Sequence, residues 1–289
     1  MSVKIDLVIK IGGSAITNKD VLETTKLESL LWASNLMKII HDKGLRCVVV
    51  HGAGSFGHHQ AKAYKVSSGY SQYNNTTQLT DLEKVKLGFS LTRQSVLKLN
   101  SILENHLLEK SIPVVSLSPF QLWRTKNKDV VKHGCDVIKE TLYNSLLPIL
   151  HGDCVFDEAL GCTILSGDTI IETICTEFDV KKVVFITDVP GIYSKPPSLT
   201  DAVLLPKIYV ESNGAISNNI STSQASHDVT GGIKLKLQTA VNIVKQSPST
   251  KLFISQVGSE SAQRICCEEI TENNSFIGTE IQFAKRWET

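Results

Sequence analysis

The chain has 289 residues, which suits one large α/β domain or two lobes and allows roughly three quarters of the unfolded surface to be buried. Its 30 basic and 29 acidic residues leave a formal net charge of +1, which argues against binding to nucleic acids or membrane surfaces. The seven cysteines lack zinc-finger spacing, so we expect reduced thiols in a cytoplasmic protein. We expect no signal peptide and no membrane-spanning stretch.

Six short apolar runs predict β-strands, and most are apolar throughout, as is typical of parallel strands covered on both faces. The predicted strands are 7–11, 46–51, 112–117, 147–151, 182–187 and 251–256. Helical periodicity predicts helices over 27–42, 79–109, 169–177 and 233–245. This alternation predicts a mainly parallel central sheet with helices on both faces, a three-layer α/β sandwich. Right-handed crossovers would gather the carboxyl ends of the strands at one rim.

Two glycine turns follow the first two strands. The first glycine turn is Lys10-Ile11-Gly12-Gly13-Ser14, and the second is His51-Gly52-Ala53-Gly54-Ser55-Phe56-Gly57-His58. Glycine lets backbone N–H groups approach a ligand with no Cβ in the way, so a strand, a glycine turn and a helix N-terminus form an anion site. Two such turns, with Lys10 beside one and His58 closing the other, predict two phosphate groups held face to face, as phosphoryl transfer requires.

Lys10 and His58 each have a simpler explanation that must be weighed. Lys10 lies in an otherwise apolar strand, where it either extends to the rim without a role or reaches an anion; the adjacent glycines favour the anion. His58 is either an ordinary helix-start residue or a donor to a phosphate oxygen. His59 is expected to face away from the second glycine turn, and His51 to orient the backbone rather than bind substrate.

Two other nucleotide-binding patterns are disfavoured. The spacing Gly52-x-Gly54-x-x-Gly57 matches the dinucleotide fingerprint, but residues 71–77 do not form the second strand and acidic end that an NAD enzyme needs there. The pattern Gly-x-x-x-x-Gly-Lys-Ser/Thr does not occur in the sequence. If the chain is a kinase, it therefore belongs neither to the P-loop class nor to the protein kinases.

Further turns lie downstream. Ser166-Gly167-Asp168 precedes a predicted helix, and one of the two polar residues is expected to cap it, which leaves open that Asp168 also aligns lysines at the rim. Residues 187–193 form a strand-to-turn signal with proline and glycine. Residues 228–236 form a third glycine turn, whose two lysines are two positions apart, so only one points back at the site. Residues 67–77 and 194–226 are predicted as loops or small hairpins over the rim, the second as a functional flap.

Together these stretches resemble the amino-acid kinase superfamily, and the resemblance runs from Lys10 to the segment Gly278-Thr279-Glu280-Ile281. Within it, the second glycine turn with its final histidine is similar to the isopentenyl phosphate kinase family and the related fosfomycin kinases. His151-Gly152-Asp153 and Ser166-Gly167-Asp168 also resemble that family. The resemblance implies Mg²⁺-assisted transfer of phosphate from ATP to isopentenyl phosphate in isoprenoid biosynthesis, by a cytoplasmic homodimer. A fosfomycin-type kinase and a non-catalytic nucleotide-binding sensor remain alternatives.

The resemblance also implies residue roles, with no metal held by protein side chains. Catalytic roles are implied for Lys10, Lys19, His58, Asp168 and Lys236, with Asp168 organising Lys10 and Lys236. ATP contacts are implied for Lys10, Gly12, Gly13, Ser14, Gly54, Thr187, Asp188, Gly191, Tyr193, Gly231 and Lys236. Acceptor contacts are implied for Ala53, Gly57, His58 and Gly152. The acceptor-binding lobe would span about 1–165 and the ATP-binding lobe about 166–289.

Three residues depart from the family pattern. Ala53 stands where glycine is common, and its methyl group would crowd the acceptor phosphate if the backbone there needed a positive φ. Pro190 replaces the usual acidic residue, and Ile233 replaces the usual methionine. None of the three removes a charged catalytic group, so activity is expected to survive.

Overall fold

A computed structural model describes residues 3–71, 79–195, 200–217, 231–271 and 275–284. Within these ranges the strands are β1 Lys4–Ile5, β2 Leu7–Ile11, β3 Cys47–His51, β4 Val114–Ser116, β5 Arg124–Lys126, β6 Asp129–Lys132, β7 Leu147–His151, β8 Asp153–Asp157, β9 Gly161–Leu165, β10 Asp179–Val180, β11 Lys182–Thr187, β12 Lys207–Val210, β13 Ile216–Ser217, β14 Lys251–Gln256 and β15 Thr279–Phe283. The α-helices are α1 Gly13–Ile16, α2 Leu27–Asp42, α3 His58–Ala63, α4 Leu79–Leu108, α5 Pro119–Leu122, α6 Cys135–Tyr143, α7 Gly167–Glu177, α8 Gly231–Gln246 and α9 Glu260–Cys267. Short 3₁₀ turns lie at Gly54–Phe56 and Val66–Ser68.

The main sheet has the strand order β13-β12-β15-β14-β11-β2-β3-β7-β4. Six strands, from β14 to β4, pair in parallel, while β15 runs antiparallel to β14 and β13 antiparallel to β12. The predicted, mainly parallel sheet is therefore confirmed. Four predicted strands match the structure to the residue, whereas β3 begins at Cys47 and β4 covers only Val114–Ser116.

Alternate residues of the central strands pack into two separate cores, one on each face of the sheet. Val8 and Val50 belong to the core that also contains residues of α6, α7 and α8, whereas Ile9 and Val49 join residues of α2, α4 and α9. Period-two alternation in a strand explains the division, and both faces being apolar explains the uninterrupted apolar runs. The predicted three-layer arrangement is confirmed.

A second, four-stranded sheet with the order β6-β5-β8-β9 was not predicted. Its β8 and β9 form an antiparallel hairpin, and Asp157 at the hairpin end accepts hydrogen bonds from the backbone N–H groups of Lys128 and Leu160. The helices α6 and α9 were also missed. All of these are short elements, and strands β5 and β6 are partly exposed, so they lack the apolar runs that identify the central strands.

The polar stretch 194–226 is more than a loop, because β12 lies within it and pairs in parallel with β15 in the main sheet. The hairpin between β12 and β13 agrees with the prediction, whereas 196–199 and 218–226 lie outside the described residues. Residues 72–77 of the other predicted loop also lie outside them. None of the helices in the described part of the chain is long and apolar enough to cross a membrane. All seven cysteines are unpaired, and six are buried.

Candidate active site

The two glycine turns meet at the rim of the main sheet in direct backbone contact. A Cβ atom added to Gly13 would lie 2.3 Å from the Gly54 nitrogen, and one added to Gly52 would lie 2.6 Å from the Gly13 nitrogen. Gly54 also has a φ of +52°, a conformation that L side chains rarely adopt. Glycine is therefore required on both sides of this contact, and the two turns meet at one rim, as right-handed crossovers predict.

Thr17 joins the two turns, a role that the sequence did not indicate. Its hydroxyl donates to the Gly13 carbonyl at 2.8 Å and accepts the Ser55 N–H at 3.0 Å. The strand ends add two backbone bonds, from Gly12 N–H to the Ile186 carbonyl and from Gly52 N–H to the Ile11 carbonyl, each 2.8 Å long. The backbone of the turns is thus fixed before any ligand binds. No pattern in the sequence identifies a lone threonine as such a link.

Lys10 is buried and paired with Asp168. Its side chain lies on the α7 side of the sheet, where Nζ approaches Asp168 Oδ1 to 3.2 Å, and the two residues are 5% and 7% exposed. The helix α7 is capped by Ser166, whose hydroxyl accepts the Thr169 N–H at 3.1 Å. Because Ser166 does the capping, Asp168 in the first turn faces the lysine instead, which fixes the ammonium group at the rim.

Lys19 extends across the first glycine turn to Asp188, which follows β11. It belongs to residues 17–26, here called the Lys19 segment, and its Nζ lies 3.0 Å from Asp188 Oδ2. Burial alone would raise the pKa of Asp188, but the hydrogen bond and charge of Lys19 and a hydrogen bond from Ser14 outweigh it and lower the pKa. Asp188 is therefore ionised at neutral pH and holds Lys19 over the rim.

Lys236 and His58 complete a group of basic side chains around the two turns. Burial and the charges of Lys10 and Lys19 lower the pKa of Lys236, although Asp168 and Asp188 act in the opposite direction. Desolvation, followed by the charges of His59, Lys10, Lys19 and Lys236, lowers the pKa of His58, so its ring is neutral at neutral pH. Cations that depress one another's proton affinity are relieved by a bound anion, so the arrangement suits a polyphosphate.

The residues predicted to surround the nucleotide base and ribose lie at the carboxyl end of β11. The Thr187 hydroxyl donates to the Val189 carbonyl at 2.6 Å, and Tyr193 forms an isolated antiparallel bridge with Leu204. Thr279, which was missed, fixes this turn: it accepts the Ile192 N–H at 2.8 Å, and a Cβ on Gly191 would approach its hydroxyl to 2.5 Å. Gly231 begins α8, and the side chains of 231–235, including Ile233, lie outside the description.

The residues predicted to contact the acceptor lie on the second glycine turn and after β7. Ala53 has a φ of −72° and a ψ of −27°, so its methyl group causes no backbone strain; the positive φ falls on Gly54 instead. A Cβ on Gly57 would lie 2.5 Å from the Ala53 methyl and 3.3 Å from Val96 of α4. Gly152 lies beside the N-terminus of α7, where a Cβ added to it would be 3.4 Å from the Gly167 nitrogen.

A buried polar cluster contacts the backbone of Gly52 and Gly152. Nδ1 of His51 lies 3.1 Å from the Gly52 carbonyl oxygen, which agrees with the expected backbone role, and Nδ1 of His151 lies 3.1 Å from that of Gly152. The same cluster contains Asn100, whose Oδ1 lies 3.1 Å from Nε2 of His51, and the Arg93–Asp153 ion pair at 3.2 Å. These partners on α4 and β8 were missed, although polar residues at helical spacing on α4 were a usable signal.

Burial gives this cluster a strong dependence on pH. It lowers the pKa of both His51 and His151 to about 4, and it raises the pKa of Asp153 to about 6 although Arg93 opposes the shift. Between pH 6.5 and 4 the histidines take up protons only when the chain unfolds, so acid favours unfolding. Asp153 has the opposite effect on stability, because on acidification it takes up its proton at a higher pH in the folded protein than in the unfolded chain.

We therefore expect the free energy of unfolding to fall by about 2 kcal/mol from about pH 7 to about pH 5, the two histidines outweighing Asp153. Urea denaturation at both pH values measures this. The variant His151→Gln should lose less stability over the same interval. Equal stability of the wild type at both pH values would contradict this, because it would mean that the buried histidines take up protons in the folded protein between pH 7 and pH 5.

No group of three or more His, Cys, Asp or Glu side chains that could hold a metal ion is found among the described residues. The two aspartates at the rim are already paired with Lys10 and Lys19. Mg²⁺ in phosphoryl-transfer sites is commonly bound largely by substrate phosphates and water.

Fold and site together define the class of protein. Residues 7–254 match the sequence profile of the amino acid kinase family, and the chain belongs to that family. It lies in the isopentenyl phosphate kinase branch: it is 33% identical to isopentenyl phosphate kinase of Arabidopsis thaliana, over 96% of each chain. The isopentenyl phosphate kinase of Methanothermobacter thermautotrophicus is 29% identical over 91% of this chain and 96% of that protein. An X-ray structure of isopentenyl phosphate kinase superimposes with a TM-score of 0.77 at 27% identity, covering 96% of this chain and 99% of that one.

Proposed function

We propose that this chain transfers the γ-phosphoryl group of MgATP to isopentenyl phosphate, forming isopentenyl diphosphate and ADP. The contact between the two glycine turns, together with the lysines Lys10, Lys19 and Lys236 and the imidazole of His58, is the observation that carries the proposal. It offers N–H groups and positive charge to two phosphate-bearing molecules at one place. The family relationship to isopentenyl phosphate kinases names the acceptor.

The reaction needs no covalent enzyme intermediate and no general base. An oxygen of the acceptor phosphate, already largely ionised near neutral pH, forms a bond to the γ-phosphorus while the bond from that phosphorus to the bridging β-oxygen breaks. The barrier is largely the repulsion of two polyanions together with their alignment. Lys10, Lys19 and Lys236 offset that charge, and Asp168 keeps Lys10 oriented. Mg²⁺ bound to the phosphates of ATP would supply further positive charge.

The two halves of the chain divide the substrates in this proposal. Residues 1–165 provide the acceptor side, with Ala53, Gly57, His58 and Gly152 around the phosphate. Residues 166–289 provide most of the ATP side, from Asp168 through the turn after β11 to the N-terminus of α8. The glycines of the first turn and Gly54 contact ATP from the opposite half. Gly57 lies next to Val96 of α4, so the acceptor tail is proposed to extend toward that helix.

His58 is proposed to select acceptors that carry a phosphate. Its imidazole donates a hydrogen bond to the acceptor's phosphate, a contact that a carboxylate or alcohol would not reproduce. His58→Ala should therefore lower kcat/KM for isopentenyl phosphate more than tenfold, equivalent to about 1.4 kcal/mol or more. Steady-state kinetics with His106→Ala, a histidine on α4 that faces Glu109, as the control measures this. Unchanged kinetics in His58→Ala would exclude the role.

We further propose that the protein acts in the cytoplasm as a homodimer, as its family resemblance implies. Strand β4 forms one edge of the main sheet, and the neighbouring helix α4 exposes Leu87, Leu97 and Leu108, which supports association through this side. Light scattering of the purified protein tests the dimer: a particle with the mass of one chain would refute it.

The proposed reaction is tested by coupled ADP release with ATP, Mg²⁺ and a panel of acceptors. The panel contains isopentenyl phosphate, dimethylallyl phosphate, fosfomycin, UMP and N-acetylglutamate. Turnover confined to the isoprenoid phosphates is the expected result. Turnover with fosfomycin alone would assign another acceptor, and ATP binding without turnover on any acceptor would favour a nucleotide sensor.

A further inference from the structure

We propose that His59 positions Lys19 for phosphoryl transfer by holding the main chain of the Lys19 segment, an inference that rests on the proposed function. Nε2 of His59 lies 2.9 Å from the carbonyl oxygen of Lys19. A carbonyl oxygen only accepts hydrogen bonds, so the proton is on Nε2 and the ring donates. The sequence suggested only that His59 faces away from the second glycine turn, yet its side chain contacts the peptide group of a residue with an implied catalytic role.

The Lys19 segment needs such a hold because it lies outside the main sheet and the Lys19 side chain is largely exposed. The segment is closed on itself by the backbone bond from Asn18 N–H to the Thr24 carbonyl and by the bridge between Thr17 and Thr25. These bonds give the segment its shape. The start of the segment is tied to both glycine turns through Thr17, but those bonds end two residues before Lys19.

Contacts to the rest of the protein position the remainder of the segment. Glu23, which has a φ of +53°, pairs with Lys98 of α4 through both carboxylate oxygens at 2.9 and 3.0 Å. Lys26 Nζ donates to the Ser14 carbonyl at 2.8 Å. These two contacts hold residues further along the segment, whereas His59 bonds to the peptide of Lys19 itself. Losing the His59 bond therefore changes the position of Lys19 more directly than losing either of the others.

His59 also connects the two sides of the reaction. It follows His58 at the start of α3. A single short helix therefore carries both the proposed acceptor-binding residue and a contact to the main chain of Lys19. His59 reaches Lys19 through its main chain, so it is a positioning residue. Alignment of this kind is a major part of catalysis in phosphoryl transfer.

Kinetics provide the first test. His59→Ala should lower kcat about fivefold, as expected for one lost hydrogen bond, with KM for isopentenyl phosphate changed by less than about twofold. His59→Gln should recover most of the rate, because its side-chain amide donates at a similar reach. The control His106→Ala should behave as the wild type. Equal losses in His59→Ala and His59→Gln would overturn the proposal.

A double-mutant cycle then tests whether His59 acts through Lys19. In a Lys19→Ala background the further change His59→Ala should have no effect on kcat, because the group that His59 positions is already absent. Additive losses would show that His59 acts independently of Lys19 and would refute the proposed route.

Hydrogen exchange of the free protein separates this proposal from the proposed function. Peptides covering residues 17–26 should exchange about fivefold faster in His59→Ala than in the wild type, and at the wild-type rate in His59→Gln. Unchanged exchange in an active enzyme would overturn the positioning role and leave the proposed function intact. Faster exchange in a protein without kinase activity would refute the proposed function, and with it any role in transfer, while leaving the contact established.

Discussion

Replacing Asp168 with asparagine should lower kcat by at least about 100-fold, because Lys10 would lose the carboxylate that fixes its ammonium group. The two groups lie 3.2 Å apart and are almost completely buried, at the point where β2 meets the N-terminus of α7. An amide has nearly the same shape but no charge, so Lys10 would be left as an uncompensated buried cation. Breaking such a pair costs about 3–5 kcal/mol of stability.

Both effects of Asp168→Asn can be measured on one preparation. Urea denaturation gives the loss of stability, and steady-state kinetics under conditions where the variant stays folded give the loss of kcat. The matched control is Asp42→Asn, which removes the carboxylate of an exposed pair with Lys38 on α2 and should leave both quantities unchanged. A folded Asp168→Asn protein with kcat within about threefold of the wild type would exclude the assigned role.

The central sheet was predictable because its strands are buried on both faces. Such strands are apolar throughout, so their ends are sharp in the sequence, and the bounds of β2, β7, β11 and β14 match to the residue. The positions of the glycine turns followed from topology, since parallel strands joined by right-handed crossovers bring their carboxyl ends together. The second sheet was not predictable in this way, because its short, partly exposed strands leave only a weak pattern.

The hydrogen-bond and ion-pair partners of the site residues could not be predicted from the sequence. Asp168 could be matched to Lys10 through the family resemblance, but Thr17, Thr279 and the pair Arg93–Asp153 were not identified. Arg93 and Asp153 are 60 positions apart and meet only because α4 crosses the end of β8. A hydrogen bond between distant elements leaves no periodic signal, so local patterns cannot reveal it. His59 is the clearest example, since its neighbour His58 drew the functional interpretation.

Replacing Gly13 with alanine should lower kcat/KM at least about 100-fold and destabilise the protein by about 2–3 kcal/mol. The added Cβ would lie 2.3 Å from the Gly54 nitrogen and 2.5 Å from the Gly54 Cα. Both are backbone atoms, so no side-chain rotation relieves the collision and the two turns must separate. Separation would displace the N–H groups proposed to hold the two phosphates, which affects catalysis even when the chain still folds.

Gly44→Ala is the matched control, because it separates backbone strain from collision. Gly44 has a φ of +68° but nothing within 4 Å of the added Cβ, so alanine there should cost about 1 kcal/mol of stability and no activity. Gly13, in contrast, does not have a positive φ, so its entire penalty comes from contact with the second turn. Kinetics and urea denaturation of both variants distinguish the cases. A Gly13→Ala protein with wild-type kcat/KM would show that the two turns are not held against each other in solution, and the assignment of the site would then need to change.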